Sequence, residues 1–421
     1  MSPLTVRPFH SAEEASTYYR LTEEAFVPNP TEEGAQRWQR FLQNSPDFRP
    51  EQVRGVFRDE QLLGGYTMHE RMLCMGGAHI STGCIGAVVT TPAFRKQGVA
   101  TAIMRDAFAF ARERGHALLL LDGIPNFYFR YDYIDIFDVT NVEVERAAIL
   151  AQPPTLSRVR AATVDDAPAL LALYQRHFGG YTGTFERSLE SQAYRLSHGK
   201  TPRLVALSER GSVEGYLFPG TEDELHQGRE LAADSWDAQL ALLQYHARQF
   251  EDATAPRTLL YFLPLSSPLT EAMIDTLEVP NTSHWQSSAE EWGVRSLAYH
   301  HRFTGWMARL VDFPALMQAI VPELQFRWRR SLAQWSGNIG LQVNSQVCTF
   351  NFDGVSLRLV EEADCVAPLL ELTPQALLQL LFGYRSLDRL ANSVHLSREA
   401  HCALAILFPT GHTWIPCSDW F

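Results

Sequence analysis

The segment from Val88 to Thr101, VVTTPAFRKQGVAT, has the residue types of a phosphate-binding loop. Arg95-Lys-Gln-Gly98-Val-Ala100 lies between a β-branched run and an amphipathic helical pattern. The first N–H groups of a helix lack intrahelical partners, and the helix dipole adds partial positive charge there. Gly98 and the small Ala100 would let a phosphate approach the main chain. The segment predicts a pyrophosphate site, although an ordinary helix start has the same spacing.

The elements around this loop predict an α/β core with a parallel strand pair. A capping-box pattern at Ser11–Glu14 opens a helix that ends before Pro28. Gly115 is placed to end the helix that follows the loop. The predicted strands are 53–57, 62–68, 85–91 and 118–121, and the helix after the loop is predicted at 99–114.

Two further blocks follow, which gives domains at 1–148, 149–291 and 292–421. The second block repeats the layout of the first without a glycine-bearing loop, so we expect a degenerate copy that binds no cofactor. The third block reads as an α+β domain with a curved sheet, in which Thr373-Pro374 begins a helix and Gly383 ends it. The aromatic pair Trp420-Phe421 predicts a buried chain end rather than a frayed one.

Composition excludes several classes of protein. The net charge of −12 disfavours nucleic-acid binding and suits a cationic substrate, although solubility alone would also explain it. The sequence contains no run of 18 apolar residues, so it predicts no membrane span. Its first residues lack the apolar core of a secretory signal. The six cysteines form no CxxC pair, which predicts reduced thiols, no metal site and a cytoplasmic protein.

Two motifs resemble known acetyltransferase sequences. The string V-x-x-P-x-x-R-x-x-G-x-A, from Val89 to Ala100, resembles motif A of the GNAT acetyltransferases. Tyr128-Phe-Arg-Tyr-Asp-Tyr133 is similar to the Y-x-R-F-G-Y segment of the Eis (enhanced intracellular survival) acetyltransferases, with Asp132 in place of the glycine. That family has two GNAT-type regions and a C-terminal domain of sterol-carrier-protein type. The three blocks agree with this architecture, and Gly305-Trp306 would open the third domain.

The resemblance implies an acetyl-CoA-dependent enzyme and assigns its cofactor contacts. The preceding strand would bind the pantetheine arm and the acetyl carbonyl, the loop would bind the phosphates, and Gly123 and Ile124 would add contacts after the next strand. The full set of implied cofactor residues is Val88, Val89, Thr90, Arg95, Lys96, Gln97, Gly98, Val99, Ala100, Thr101, Gly123 and Ile124.

It also implies the groups that move protons. A lysine-like amine has a pKa of about 10.4, so it must lose a proton before it attacks the thioester. Tyr128 would protonate the departing thiolate, because a phenol of pKa about 10 remains protonated at pH 7. The α-carboxylate of Phe421 would act as the base or would orient the ammonium group, with Asp419 as an alternative carboxylate. A packing tyrosine and an aromatic anchor at the chain end are the structural alternatives.

The acceptor is left open by the sequence. Phe26 and Trp38 would line an amine pocket, although both residues fit a helix core equally well. His10, His69 and His116 have no partner pattern and are expected to be structural or on the surface. The acceptor would be an aminoglycoside-like or lysine-like amine, and the resemblance implies a homo-oligomer, as in the hexameric Eis relatives. The alternatives are a ligand-binding or regulatory protein with a vestigial loop, or a dedicated protein N-acetyltransferase.

Overall fold

The structure is a computed structural model that describes residues 2–124, 126–198, 201–221, 224–250, 256–277, 296–301, 305–360, 368–390, 396–411 and 413–421. Contacts between residues group the chain into two compact units. The first contains residues 1–136, 303–411 and 421, and the second contains residues 137–302 and 412–420. The division into three domains stays a prediction.

The first stretch of the chain contains a hairpin-rich sheet and three helices. Its elements are β1 (Thr5–Pro8), α1 (Ala12–Phe26), α2 (Glu32–Gln43), β2 (Val53–Arg58), β3 (Gln61–Met75), β4 (Ala78–Thr90), α3 (Val99–Glu113), β5 (Leu118–Asp122) and β6 (Ile134–Asp135). Ser11 caps α1 by accepting a hydrogen bond from the main-chain N–H of Glu14, as its sequence predicts. Gly115 follows α3 with a φ of +72°, the left-handed conformation that ends many helices.

The second stretch also combines strands with helices. Its elements are β7 (Val139–Glu145), α4 (Arg146–Leu150), β8 (Arg158–Ala161), α5 (Ala167–Phe178), α6 (Leu189–Ser197), β9 (Leu204–Leu207), β10 (Val213–Pro219), β11 (Gln227–Ala233), α7 (Trp236–Arg248), β12 (Thr258–Tyr261), α8 (Pro268–Leu277) and β13 (Ser296–His301). Only Asp234 and Ser235 join β11 to α7. Asp237 in the first turn of α7 accepts main-chain hydrogen bonds from Leu156 and Ser157. Whether this unit binds a cofactor stays open, and its absence stays a prediction.

The last stretch combines helices with a small sheet. Its elements are β14 (Trp306–Leu310), α9 (Phe313–Arg330), β15 (Ser336–Val343), β16 (Gln346–Asp353), β17 (Leu357–Val360), β18 (Leu369–Leu372), α10 (Pro374–Leu381), α11 (Leu387–Leu390) and α12 (Arg398–Leu407). Thr373 caps α10 and Gly383 follows it with a φ of +66°, both as predicted. The small sheet has the order β17-β16-β15-β18, with β15 and β18 parallel. None of the helices in the described ranges is long and apolar enough to cross a membrane.

The two larger sheets have the same pattern of pairing, and this mixed α/β fold confirms the predicted fold class. One has the order β1-β2-β3-β4-β5-β14-β6, and the other β8-β9-β10-β11-β12-β7-β13. Each is antiparallel except for a central parallel pair, β4 with β5 and β11 with β12. The strand beside each parallel pair comes from a distant part of the sequence. β14 joins the first sheet and β7 joins the second, although the predicted bounds place β14 in the third block and β7 in the first.

Candidate active site

The strand β4 is deformed by a bulge where the chemistry is predicted. Its pairing with β3 shifts between Gly65 and Thr67, and Ala87 has a φ of +48°, which is uncommon for a residue with a side chain. The buried Tyr18 of α1 holds this bulge: its hydroxyl lies 2.9 Å from the carbonyl oxygen of Ala87 and 3.1 Å from the Thr67 hydroxyl. Burial raises the pKa of Tyr18 well above its usual value, so it stays a hydrogen-bond donor.

The strands β4 and β5 stop pairing beside this bulge. Their parallel register runs from Thr82–Leu118 to Ile85–Leu121 and ends there, whereas β4 continues to Thr90. In residues 86–90 of β4, the paired positions Gly86, Val89 and Thr90 therefore have partners in β3 only. The main-chain groups on their other edge are suited to an extended amide such as a pantetheine arm, because peptide groups hydrogen-bond along an open strand edge. Val88, Val89 and Thr90 all lie in this stretch.

The loop after β4 has the conformation of an anion-binding helix start. A short 3₁₀ turn at Pro92–Phe94 follows the strand, Lys96 has a φ of +62°, and Gly98 is the left-handed N-cap of α3 with a φ of +86°. The nearest atom to a β-carbon built on Gly98 is a Leu4 methyl at 3.9 Å, so the space beside it is open. Gly98 has no side chain with which to cap α3, so the first N–H groups of α3 receive no cap hydrogen bond from it. These features fit a pyrophosphate.

Tyr128 is positioned at the end of β5 by a glycine beneath its ring. It begins a 3₁₀ turn, Tyr128–Tyr131, and a β-carbon on Gly123 would lie 2.2 Å from its ring. The Gly123 N–H donates to the carbonyl oxygen of Gly305 at 3.1 Å, so this N–H is not free for a cofactor. Burial, then the neighbouring Tyr131 and Asp122, raise the pKa of Tyr128 to about 12. Its hydroxyl has no hydrogen-bond partner within the described ranges.

Asp132 takes the place of the glycine in the Tyr128 segment and preserves its turn. Its φ is +67°, a left-handed value that Asp tolerates better than most residues. Its carboxylate also lies 3.3 Å from the guanidinium of Arg309. On the other side of the segment, the Tyr131 hydroxyl lies 3.2 Å from that of Thr101 in the first turn of α3. The departure from the family motif therefore leaves the left-handed turn intact.

The C-terminal carboxylate lies against the bulge. A β-carbon on Gly86 would lie 3.1 Å from the carboxyl carbon of Phe421 and 3.4 Å from its main-chain oxygen. The Phe421 ring packs edge-on against Trp306, with centroids 5.4 Å apart, and beside His69 at 6.1 Å. The guanidinium of Arg71 lies 5.2 Å from the same ring, within cation–π range. Phe421 is therefore fixed by β3, β4 and β14, and its carboxylate is brought to the predicted site.

The predicted burial of the chain end is only partly correct. Trp420 is 37% exposed and Phe421 is half-buried, whereas Asp419 is the buried residue of the three. The physical reason is electrostatic: Asp419 pairs with the guanidinium groups of Arg187, at 2.7 Å, and Arg195. Both of its oxygens therefore contact cations, which does not favour Asp419 as the alternative base.

Asp122 lies beside the candidate site and is not predicted from the sequence. It is the last residue of β5, one position beyond the final β4–β5 pair, and its cross-strand partner in β14 is Trp306. Asp122 is exposed to solvent on one side, and the protein that surrounds the rest of the side chain raises the pKa of its carboxylate to about 6 by desolvation. Among the described residues it has no hydrogen-bond or ion-pair partner. The sequence signal for this residue is its position directly after a run of four leucines.

The remaining predicted residues are outside the core. Phe26 is 55% exposed at the end of α1 and Trp38 is 36% exposed on α2, so neither is a core residue, and their pocket role stays a prediction. Ile124 is 69% exposed. Of the three single histidines, His10 is exposed and His116 is buried, whereas His69 contacts Phe421. Burial, then Arg71, lower the pKa of His69 to about 3, so it is neutral. In the described ranges no cluster of His, Cys, Asp or Glu could hold a metal.

Comparison with known proteins agrees with this geometry. Residues 5–134 match the family described as acetyltransferase (GNAT) domain. The chain carries a GNAT acetyltransferase domain. It is therefore an acyltransferase enzyme, and the matched range contains all of β4, the loop, α3 and Tyr128.

Solved structures show the same fold over the whole chain. A probable N-acyltransferase of Enterococcus faecalis and a GCN5-related N-acetyltransferase of Anabaena variabilis have TM-scores of 0.71, at 17% and 15% identity. Eis1 of Mycobacterium abscessus has a TM-score of 0.62 at 15% identity. Each match covers 100% of both chains. No curated protein matches this chain in sequence. At these identities the likeness establishes the fold of the acyltransferase, and the acceptor must be argued from the site.

Proposed function

We propose that this acyltransferase moves the acetyl group of acetyl-CoA to a primary amine. The observation that carries the proposal is the convergence of three features of the first unit: the open edge of β4, the Tyr128 phenol and the Phe421 carboxylate. Acetyl-CoA would supply the thioester, with its phosphates at the start of α3. The main-chain N–H groups of residues 88–90 would stabilise the negative charge that develops on the acetyl oxygen.

Tyr128 acts as the proton donor to the departing sulfur. Because burial raises its pKa to about 12, the phenol keeps its proton throughout the neutral and mildly alkaline range. Its free hydroxyl needs no existing hydrogen bond to be broken before it donates. The Phe421 carboxylate holds the positive charge of the acceptor, since a carboxylate forms strong hydrogen bonds with an ammonium group. The net charge of −12 supports the approach of a cationic acceptor.

The acceptor class we favour is an aminoglycoside-like or lysine-like amine. The exposed aromatic rings of Phe26 and Trp38 would contact its apolar faces. On the resemblance to the Eis family we also propose a sterol-carrier-type fold for the last stretch, a homo-oligomer and a cytoplasmic location. A dedicated protein N-acetyltransferase would use the same chemistry on one partner. A regulatory protein with a vestigial loop would have no need of Tyr128 or of the Phe421 carboxylate beside the bulge.

The test combines binding with turnover. Titration calorimetry with acetyl-CoA should give saturable binding, and a panel of primary amines should then release free thiol in proportion to acceptor. Absence of acetyl-CoA binding would exclude the proposal. Binding without thiol release from any amine, including lysine-containing peptides, would favour the regulatory alternative instead.

A further inference from the structure

The acceptor side of the site contains a second carboxylate. The side chains of directly paired residues on neighbouring antiparallel strands lie on the same face of a sheet. Asp122 is paired with Trp306, whose ring packs on Phe421. The side chain of Asp122 therefore emerges on the face that carries the terminal residue. Its Oδ1 would lie 2.8 Å from a β-carbon on Gly305, so the carboxylate is held close to the start of β14.

The same residue is near the proton donor. Asp122 directly precedes Gly123, the glycine beneath the Tyr128 ring, and its charge is one of the causes that raise the pKa of that phenol. Asp122 also stands where β4 and β5 cease to pair, opposite the bulge that Phe421 contacts. A group bound where these strands separate would thus have Tyr128 and the two carboxylates around it.

We propose that Asp122 is the general base that removes the proton from the acceptor ammonium group. This inference rests on the proposed function and gives the two carboxylates different roles. Phe421 holds the charged amine, and Asp122 deprotonates it. Asp122 has no competing hydrogen-bond or ion-pair partner among the described residues, so its oxygens are available.

These groups account for every proton that moves in the reaction. Asp122 takes one proton from R–NH₃⁺, and the neutral nitrogen then forms a bond to the acetyl carbon. The carbon–sulfur bond breaks, and Tyr128 gives its proton to the sulfur. The nitrogen loses its second proton, which restores the Tyr128 phenol through solvent, while Asp122 releases its own proton to water. The products are the amide, free CoA thiol and one proton.

The titration behaviour of the surrounding groups supports this division. A base works best when its pKa is close to the working pH, and the pKa of Asp122 is raised to about 6 by burial. A free α-carboxylate has a pKa of about 3.5. The charged and titratable groups that face this region are Tyr128 after β5, Arg71 and the neutral His69 on β3, and the terminal carboxylate. The raised pKa of Asp122 has burial as its cause, without a charged partner.

The decisive experiment is the pH profile of kcat/KM for wild type and Asp122→Asn with a lysine-like amine. The wild type should lose activity below about pH 6. Asp122→Asn should lack this acidic limb, should fall about 100-fold at pH 7, and should recover as rising pH deprotonates the acceptor in solution. Glu113→Gln removes an exposed carboxylate at the end of α3 and should match the wild type.

An alkoxyamine, which is neutral at pH 7, separates base catalysis from a structural role. Because it needs no deprotonation, Asp122→Asn should acetylate it within about threefold of the wild-type rate. Equal loss with both acceptors, or an unchanged acidic limb, would overturn the proposal while an active wild type leaves the proposed function standing. If Asp122→Asn binds acetyl-CoA poorly, Asp122→Glu must restore the limb, and its failure to do so also counts against the base.

Discussion

At the level of single residues, chemistry here depends on burial that a sequence cannot show. Tyr128 was predicted from its motif, whereas its raised pKa follows mainly from the burial of its side chain. Asp122 was not predicted, because in the sequence it is one acidic residue at the end of a leucine run. Its significance comes from β14, a strand that begins at Trp306 and is nearly two hundred positions away. Local patterns identify the residue types, whereas distant packing sets the protonation states.

Replacing Tyr128 by Phe should lower kcat about 100-fold without weakening acetyl-CoA binding. The change removes the proton for the sulfur and leaves the packing of the ring intact. Because the pKa of Tyr128 is about 12, wild-type kcat should show no decline from this group below pH 10. Measuring thiol release across pH 6–10 tests both the loss of kcat in Tyr128→Phe and the flat profile of the wild type.

Tyr133→Phe is the matched control: that ring is 6.1 Å from Tyr128, and its buried hydroxyl has no partner in the described chain. Unchanged kcat in Tyr128→Phe would exclude the phenol as proton donor.

At the level of elements, the strands and helices follow local patterns and the bulge does not. The capped helices and the β2–β3 hairpin begin and end close to the predicted residues. The β3 and β4 strands are longer than predicted. In β3 the polar residues His69–Arg71 interrupt the apolar pattern, and Glu70 pairs with Arg114. The left-handed Ala87 depends on the Tyr18 hydroxyl, which is remote in sequence. Gly86 inside a strand was the local signal of a bulge.

The start of α3 supplies a prediction about cofactor affinity. Gly98→Ala should weaken acetyl-CoA binding about tenfold in calorimetry, because a side chain in the left-handed conformation costs about 1–2 kcal/mol and the loop would change shape to relieve it. Gly115→Ala imposes the same strain at the other end of the same helix, where an added β-carbon meets nothing within 4 Å. That control should lose similar stability and keep its affinity. Equal affinities in the two variants would contradict a phosphate site at Gly98.

At the level of the whole molecule, the last residues of the chain belong to two different units. Residues 413–420 belong to the second unit, where Trp414 packs on Phe178 and Asp419 joins Arg187. Arg187 also pairs with Glu230 at 2.6 Å, and the three side chains are buried. Phe421 belongs to the first unit. Local sequence predicts neither this ion cluster nor the membership of β7 and β14, because each depends on pairing between residues far apart in the chain.

One glycine added after Phe421 tests the role of the terminus. The new carboxylate would move by about 3.8 Å along the chain, away from Gly86, while the anchors at 413–419 stay unchanged. Loss of a charged hydrogen-bond partner is worth about 1.5–3 kcal/mol, so the acceptor KM should rise roughly 10- to 100-fold. The acidic limb should persist, since Asp122 is intact. Acetyl-CoA affinity and the free energy of unfolding should match those of the wild type.

A glycine inserted after Gly211, in an exposed turn of the second unit, lengthens the chain equally and should leave the acceptor KM unchanged. If the C-terminal extension has a wild-type acceptor KM, the Phe421 carboxylate does not hold the amine.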